Sequence, residues 1–128
     1  VLEIFEKSFY DFDRIFYLPI TEAKLIHGDY NTWNIMLNRE KSHAKFVIDP
    51  FGCCYGDSEY DLYQLDNANG KDYGLLKRYS EKIALSENFE AKKRFYRLYS
   101  EIGHYYDAHV TVDFEAAEQM AKDLSEFL

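Results

Sequence analysis

The chain has 128 residues, is 47% hydrophobic and 18% aromatic, and carries a formal net charge of −8. This length and composition suit one globular domain with a substantial core, and they exclude a disordered chain. The acidic balance argues against a nucleic-acid partner, because proteins that bind nucleic acids usually present a basic face to the phosphates. No apolar run approaches the length of a transmembrane helix, so we expect no membrane partner.

The first half of the chain is predicted to form one helix and one hairpin. Apolar residues recur at steps of three and four over residues 2–17, which predicts an amphipathic helix that Pro19 ends. Residues 24–26 are expected to be a short extended segment. Two short apolar segments, residues 34–38 and 45–49, flank a polar stretch and predict a β-hairpin with a solvated loop.

Helices are expected to dominate the second half. Gly52 and Gly56 predict a loop after the hairpin, and Ser58 with Asp61 forms a capping-box-like pair at a helix start. Gly70 suits the end of that helix. The expected helices cover residues 58–69, 72–85 and 89–109 and a last segment capped by Asp113. The residues expected to face inward are Leu75, Leu76, Tyr79, Ile83, Phe95, Tyr99, Ile102, Tyr106, Phe114, Ala117, Met120 or Ala121, Leu124 and Phe127. The predicted fold class is therefore mainly α with a small β-hairpin, that is, α+β.

The segment from residue 27 to residue 49 carries the groups that phosphoryl transfer from ATP requires. His27 lies two residues before Asp29, Asn34 follows Asp29 by five residues, and Asp49 ends the second strand of the predicted hairpin. Asp29 is the candidate base that orients the substrate hydroxyl. His27 is expected to brace the loop through hydrogen bonds. Antiparallel pairing brings Asn34 and Asp49 side by side, and their oxygens suit a shared Mg²⁺.

Each of these residues also has a plainer explanation. His27, Gly28 and Asp29 could form an ordinary turn, Asn34 could open a strand, and Asp49 with the following proline could close one. Each plain explanation is the better one for its residue alone. The order, the spacing and the intervening hairpin together favour the kinase interpretation.

The same residues resemble a superfamily of small-molecule kinases that includes aminoglycoside phosphotransferases, choline kinases and fructosamine kinases. The segment from Asp49 to Leu62, DPFGCCYGDSEYDL, is most similar to fructosamine kinases. The resemblance covers residues 24–66 and is loose beyond them. It implies the C-terminal lobe of a protein-kinase-like fold, with Asp29 as the catalytic Asp. It also implies that Asn34 and Asp49 bind Mg²⁺ and, through it, the ATP co-substrate.

The roles of three further residues stay open at this point. Asp61 either braces the catalytic loop, as the resemblance implies, or simply caps its helix. Asp57 either orients the substrate or favours the helix N-terminus electrostatically. Trp33 stands where many relatives have glycine. It either stacks on a sugar ring or fills the core under the loop, and the core is the favoured expectation.

A nucleotide-binding lobe is not expected within these 128 residues. None of the six glycines forms a Gly-x-Gly-x-x-Gly loop, and the chain begins with Val1 rather than Met. We therefore expect residues 1–128 to be a single domain, a C-terminal fragment that lacks the N-terminal lobe and is inactive alone. The surface that would face the missing lobe could support self-association. Two adjacent cysteines, Cys53 and Cys54, make disulfides implausible and predict a cytoplasmic protein, with both thiols serving in packing.

The predicted function is an ATP- and Mg²⁺-dependent phosphotransferase that acts on a hydroxyl of a small amino-sugar, ketoamine or related metabolite. The alternative is a non-catalytic helical binding module derived from a kinase lobe. Retention of Asp29, Asn34 and Asp49 counts against the alternative, because a degenerate copy has no reason to keep all three groups.

Overall fold

The computed structural model describes residues 1–67, 70–106 and 113–128. The chain divides into two compact units, Val1–Pro19 with Ser86–Leu128, and Ile20–Leu85. Among the described residues, no helix has the length and apolar character needed to cross a membrane. The helices are α1 (Leu2–Tyr10), α2 (Phe12–Ile15), α3 (Glu59–Leu62), α4 (Leu75–Ser80), α5 (Phe89–Tyr106) and α6 (Phe114–Ser125). The strands are β1 (Lys24–Ile26), β2 (Ile35–Leu37), β3 (Ala44–Val47) and β4 (Cys54–Gly56).

The first unit is a helical core built around one aromatic ring. The ring of Phe95 lies 5.5–6.1 Å from the rings of Phe9, Phe12 and Phe16, centroid to centroid, in edge-to-face contacts. A single helix over residues 2–17 is wrong, because Asp11 leaves the helical conformation and separates α1 from α2. The break accompanies stacking of Phe12 on Phe16 and the contact of both rings with Phe95.

The two long helices of this unit largely agree with the prediction. Asp113 caps α6, since its carboxylate accepts a hydrogen bond from the backbone of Ala116. Helix α5 is described as far as Tyr106, and the predicted end at residue 109 lies outside the described residues. Burial confirms Phe95, Ile102, Ala117, Ala121 and Leu124 as core residues, whereas Met120 is half-buried. The side chain of Tyr106 lies outside the description.

Three aromatic residues expected in this core are exposed instead. The exposed fraction is 49% for Tyr99, 63% for Phe114 and 37% for Phe127. Phe127 lies beyond the end of α6, where the guanidinium of Arg94 covers its ring at 4.5 Å. Helical spacing therefore predicts the correct buried face of α5 and α6, but it also assigns to the core residues that lie at the solvent-exposed margins of that face.

The second unit holds two small antiparallel sheets. Strands β2 and β3 form the predicted hairpin, with Ile35 opposite Val47. Strand β4 was predicted as a loop, but it pairs with β1 and places Cys54 opposite Ile26. Strand β1 lies about thirty residues earlier in the sequence, so no local sequence pattern predicts this pairing. Cys53 and Cys54 are free and exposed, so the expected packing role is wrong.

The helices of the second unit are shorter than predicted. Helix α3 ends after one turn and continues as a 3₁₀ helix, Tyr63–Asp66, so the helix over 58–69 and its Gly70 cap are wrong. Helix α4 covers only six residues of the predicted span 72–85 and begins after Gly74, which has a left-handed backbone. Leu76 is buried and its neighbours Leu75 and Tyr79 are half-buried, but Ile83 lies outside the helix and is 54% exposed.

Candidate active site

All four predicted site residues lie in the second unit, on the loops that follow β1 and β3. His27 and Asp29 follow β1, Asn34 ends the 3₁₀ turn before β2, and Asp49 follows β3. One candidate metal ligand, Asn34, therefore lies just before the start of β2, and the other, Asp49, lies just after the end of β3. Because β2 and β3 are antiparallel, these two termini meet at one end of the hairpin.

Two asparagine amides hold the Asp29 carboxylate. The Nδ2 of Asn31 donates to Oδ1 of Asp29 at 2.7 Å, and the Nδ2 of Asn34 donates to Oδ2 at 2.7 Å. Each carboxylate oxygen thus keeps a further lone pair for a substrate hydroxyl. The two amides fix the carboxylate in direction, and none of the described residues pairs a cation with it, which is the arrangement that a hydroxyl-orienting group needs.

The amide nitrogen of Asn34 binds Asp29 twice, at its carboxylate and at its backbone oxygen. These two bonds assign the amide orientation. The Oδ1 of Asn34 accepts no hydrogen bond from the described residues. Asn34 is also only 9% exposed, so packing holds its side chain at the hairpin end.

Asp49 lies beside Asn34 in an unusual backbone conformation. The backbone oxygen of Asn34 accepts a 2.9 Å hydrogen bond from the N–H of Ile48, which brings the next residue to the same end of the hairpin. Asp49 has φ of 58°, in the left-handed region that few non-glycine residues adopt. Its carboxylate is exposed and forms no hydrogen bond or ion pair with the described residues. Such strain is common where a side chain must be aimed at a ligand.

The ring of His27 bridges the two halves of the site. Its Nε2 lies 2.9 Å from the backbone oxygen of Ile48, and its Nδ1 lies 3.3 Å from the backbone nitrogen of Asp29. A carbonyl oxygen only accepts and a backbone N–H only donates, so both bonds form in one neutral tautomer with the hydrogen on Nε2. These are the bracing hydrogen bonds expected of His27, and they tie the Asp29 backbone to the carbonyl of Ile48.

Asp61 contacts the loop and does not complete a capping box. Its carboxylate accepts hydrogen bonds from the backbone N–H of His27 at 2.7 Å and of Gly28 at 2.9 Å. Ser58 makes no side-chain cap at α3. The carboxylate of Asp57 accepts from the N–H of Glu59 at 3.0 Å instead, so Asp57 serves the helix start. Of the two alternatives for Asp61, helix cap or brace of the loop after β1, the hydrogen bonds support the brace.

Gly28 is required by both its backbone angle and its surroundings. It has φ of +85°, and a Cβ built on it would lie 1.8 Å from the backbone oxygen of Phe51. No side chain fits at that distance, so the loop after Asp49 can approach the loop after β1 only over a glycine. The N–H of Phe51 also donates to the backbone oxygen of His27 at 3.1 Å.

Sequence reasoning missed Asn31 and Gln64 and misplaced Trp33. Asn31 follows Asp29 by two residues, a spacing that could have suggested the side-chain contact. Gln64 donates through Nε2 to the backbone oxygen of Gly28 at 2.7 Å, and no pattern suggested it because residues 58–69 read as one continuous helix. Trp33 is 76% exposed, so the expectation that it fills the core is wrong.

The donor set suits Mg²⁺ bound jointly with a phosphate substrate. Within the described part of the chain, no group of three or more His, Cys, Asp or Glu side chains could hold a metal ion. Mg²⁺ needs no such cage, because it retains several waters and commonly takes one or two protein oxygens together with substrate phosphates. The amide oxygen of Asn34 and the carboxylate of Asp49 are hard donors of this kind.

Comparison with known proteins agrees with this chemistry. The family model described as fructosamine kinase matches residues 6–126, nearly the whole sequence and well beyond the part in which the resemblance was clear. Searches among curated proteins and among solved structures found no match. The chain belongs to the fructosamine kinase family.

Proposed function

We propose that this chain carries the catalytic loop of an ATP- and Mg²⁺-dependent kinase that phosphorylates a hydroxyl of a sugar amine, ketoamine or related small metabolite. The observation that carries the proposal is the pair of amide hydrogen bonds to Asp29. They hold the carboxylate as an oriented acceptor beside the amide oxygen of Asn34, to which no described residue donates a hydrogen bond. One amide side chain thus links the hydroxyl-orienting group to the proposed metal site.

In this proposal Asn34 and Asp49 hold Mg²⁺, which would neutralise charge on the ATP phosphates. Asp29 accepts the hydrogen bond of the acceptor hydroxyl and aligns its oxygen with the terminal phosphorus. His27 holds the Asp29 backbone and the Ile48 carbonyl together. Phosphoryl transfer depends chiefly on positioning, which is the work that this carboxylate does.

We further propose that residues 1–128 act as the lobe that bears the catalytic loop, and that a separate nucleotide-binding lobe completes the enzyme. No Gly-x-Gly-x-x-Gly sequence occurs among the six glycines. The negative net charge favours cationic acceptors such as ketoamines over anionic ones. Free, exposed thiols at Cys53 and Cys54 are compatible with a reducing compartment such as the cytoplasm. Any self-association would involve the surface that the second lobe otherwise covers.

The function is tested by measuring ADP release from the complete protein with ATP, Mg²⁺ and one acceptor at a time. The acceptors are a fructosamine, an aminoglycoside, choline and, as the matched control, fructose without an amine. We expect the fructosamine to give the highest kcat/KM and a phosphorylated product by mass spectrometry. Transfer to none of these acceptors would contradict the proposal and favour a non-catalytic binding module.

The magnesium site gives a separate prediction. Asp49→Asn keeps the size of the side chain and a residue type that tolerates a left-handed backbone, but it removes the anionic oxygen. We expect the Mg²⁺ concentration that gives half-maximal activity to rise roughly tenfold or more, because both amide oxygens of the proposed site would then be neutral. The measurement is a Mg²⁺ titration of kcat at saturating ATP.

The control for this titration is Asp72→Asn, which removes an exposed carboxylate of the same unit outside the site. The control should titrate like the wild type. A Mg²⁺ dependence of Asp49→Asn that matches the control would remove Asp49 from the proposed metal site.

A further inference from the structure

The backbone of His27 and Gly28 has a hydrogen-bond partner for every polar group. The carboxylate of Asp61 accepts both N–H groups, at 2.7 and 2.9 Å. The N–H of Phe51 donates to the carbonyl of His27 at 3.1 Å. The side chain of Gln64 donates to the carbonyl of Gly28 at 2.7 Å. Three of these four bonds are made by two side chains that lie three residues apart.

The change from α to 3₁₀ helix explains how both side chains reach one dipeptide. Asp61 belongs to α3, and Gln64 belongs to the 3₁₀ helix that begins at Tyr63. Residues three apart in a 3₁₀ helix project in the same direction, whereas in an α-helix they are rotated by about 60°. The step from Asp61 to Gln64 crosses the junction, so the tighter turn that begins at Tyr63 reduces this rotation. Gln64 is only 4% exposed, so water cannot readily replace the Gly28 carbonyl as the hydrogen-bond partner of its amide.

The carbonyl that Gln64 holds belongs to the peptide group that leads into Asp29. The oxygen of Gly28 is at one edge of this peptide plane, and the N–H of Asp29 is at the other, where the His27 ring accepts it at 3.3 Å. Gly28 has φ of +85° and no Cβ, so the plane meets little local resistance to rotation. A change in ψ of Gly28 that φ of Asp29 does not offset would move Asp29 and carry its carboxylate away from the amides of Asn31 and Asn34.

We infer that Gln64 is a positioning residue for phosphoryl transfer, because its amide locks the Gly28–Asp29 peptide plane and thereby aims the carboxylate of Asp29. The inference rests on the proposed function for its catalytic consequence. Asp61 binds the N–H of the His27–Gly28 peptide group, and Gln64 binds the carbonyl of the Gly28–Asp29 peptide group. The loss of Gln64 therefore acts on the direction of the carboxylate and not on the binding of ATP.

Two variants of the complete protein separate the hydrogen bond from simple packing. Gln64→Met keeps a side chain of similar size but has no donor, and Gln64→His keeps an N–H at a similar reach. We expect Gln64→Met to lower kcat by about 10- to 100-fold with little change in the KM for ATP, since small misplacements of catalytic groups have effects of this size. Gln64→His should recover most of this loss. Gln119→Met, on an exposed position of α6, is the control and should retain wild-type kcat.

Amide hydrogen exchange supplies a measurement that does not depend on activity. In Gln64→Met, the amides of residues 27–31 should exchange about tenfold faster than in the wild type, whereas those of β2 and β3 should not change. Wild-type kcat and exchange in Gln64→Met would overturn the inference. Equal losses of kcat and of stability in the Met and His variants would also overturn it, because that pattern indicates packing alone. A wild-type protein that transfers no phosphate would instead contradict the proposed function, and exchange would still decide whether Gln64 holds the peptide plane.

Discussion

Replacement of Asp29 by alanine is expected to lower kcat by roughly 10²- to 10⁴-fold, the range in which a positioned acid–base group contributes. The amides of Asn31 and Asn34 jointly aim this carboxylate. Without it, the acceptor hydroxyl has no oriented partner. The KM for ATP should change little, because Asp29 is not a proposed metal ligand.

The variant should still fold. Asn34 keeps its hydrogen bond to the backbone oxygen of Asp29, so the cost of the lost side-chain bonds is about 1–2 kcal/mol. The measurement pairs kcat with the free energy of unfolding in urea. Asp29→Asn is a useful second variant, because it preserves the shape and removes the charge. Asp72→Ala, at an exposed site, is the control. A kcat within about tenfold of the wild type in Asp29→Ala would refute the orienting role.

Gly28→Ala is expected to have the largest effect on folding. Its Cβ would meet the backbone oxygen of Phe51 at 1.8 Å, and the residue would also keep φ near +85°. The left-handed conformation alone costs about 1–2 kcal/mol for alanine. Separating the two loops adds typically 1–3 kcal/mol for the overpacking and would also break the bond from Phe51 to His27. Activity should be lost together with stability.

Gly52→Ala provides a matched control for this substitution. Gly52 also has a left-handed backbone, with φ of +68°, but a Cβ there would meet nothing within 4 Å. It should therefore show the conformational cost without the collision. Urea unfolding of both variants measures the difference directly. Equal destabilisation in the two variants would mean that the contact between the loops does not limit the choice of residue at position 28.

The features predicted correctly from sequence are those that local patterns specify. The hairpin from residue 35 to residue 47 followed from two apolar segments around a polar turn, and the cap at Asp113 followed from its position before an amphipathic segment. The same holds for Asn34 and Asp49, whose proximity is a direct consequence of antiparallel pairing. In each case the determining residues are close in sequence.

The errors arise where a distant partner decides the local structure. Strand β4 exists because β1 pairs with it, and the helix after Ser58 changes to 3₁₀ where its side chains reach the loop at Gly28. Asp61 shows this most clearly. A capping box would have used its carboxylate within the helix, but the carboxylate instead satisfies two N–H groups more than thirty residues away. A capping pattern alone does not distinguish the two uses.

The backbone of Asp49 also sets how the position tolerates substitution. With φ of 58°, it accepts glycine, asparagine and aspartate far more readily than other residues. The proposed role as an anionic metal ligand restricts the choice to aspartate and glutamate. Only aspartate meets both requirements. Even the two most conservative exchanges therefore fail for different reasons, since glutamate strains the backbone and asparagine removes the charge. Random mutagenesis with selection for activity should consequently leave this codon among the least variable in the chain.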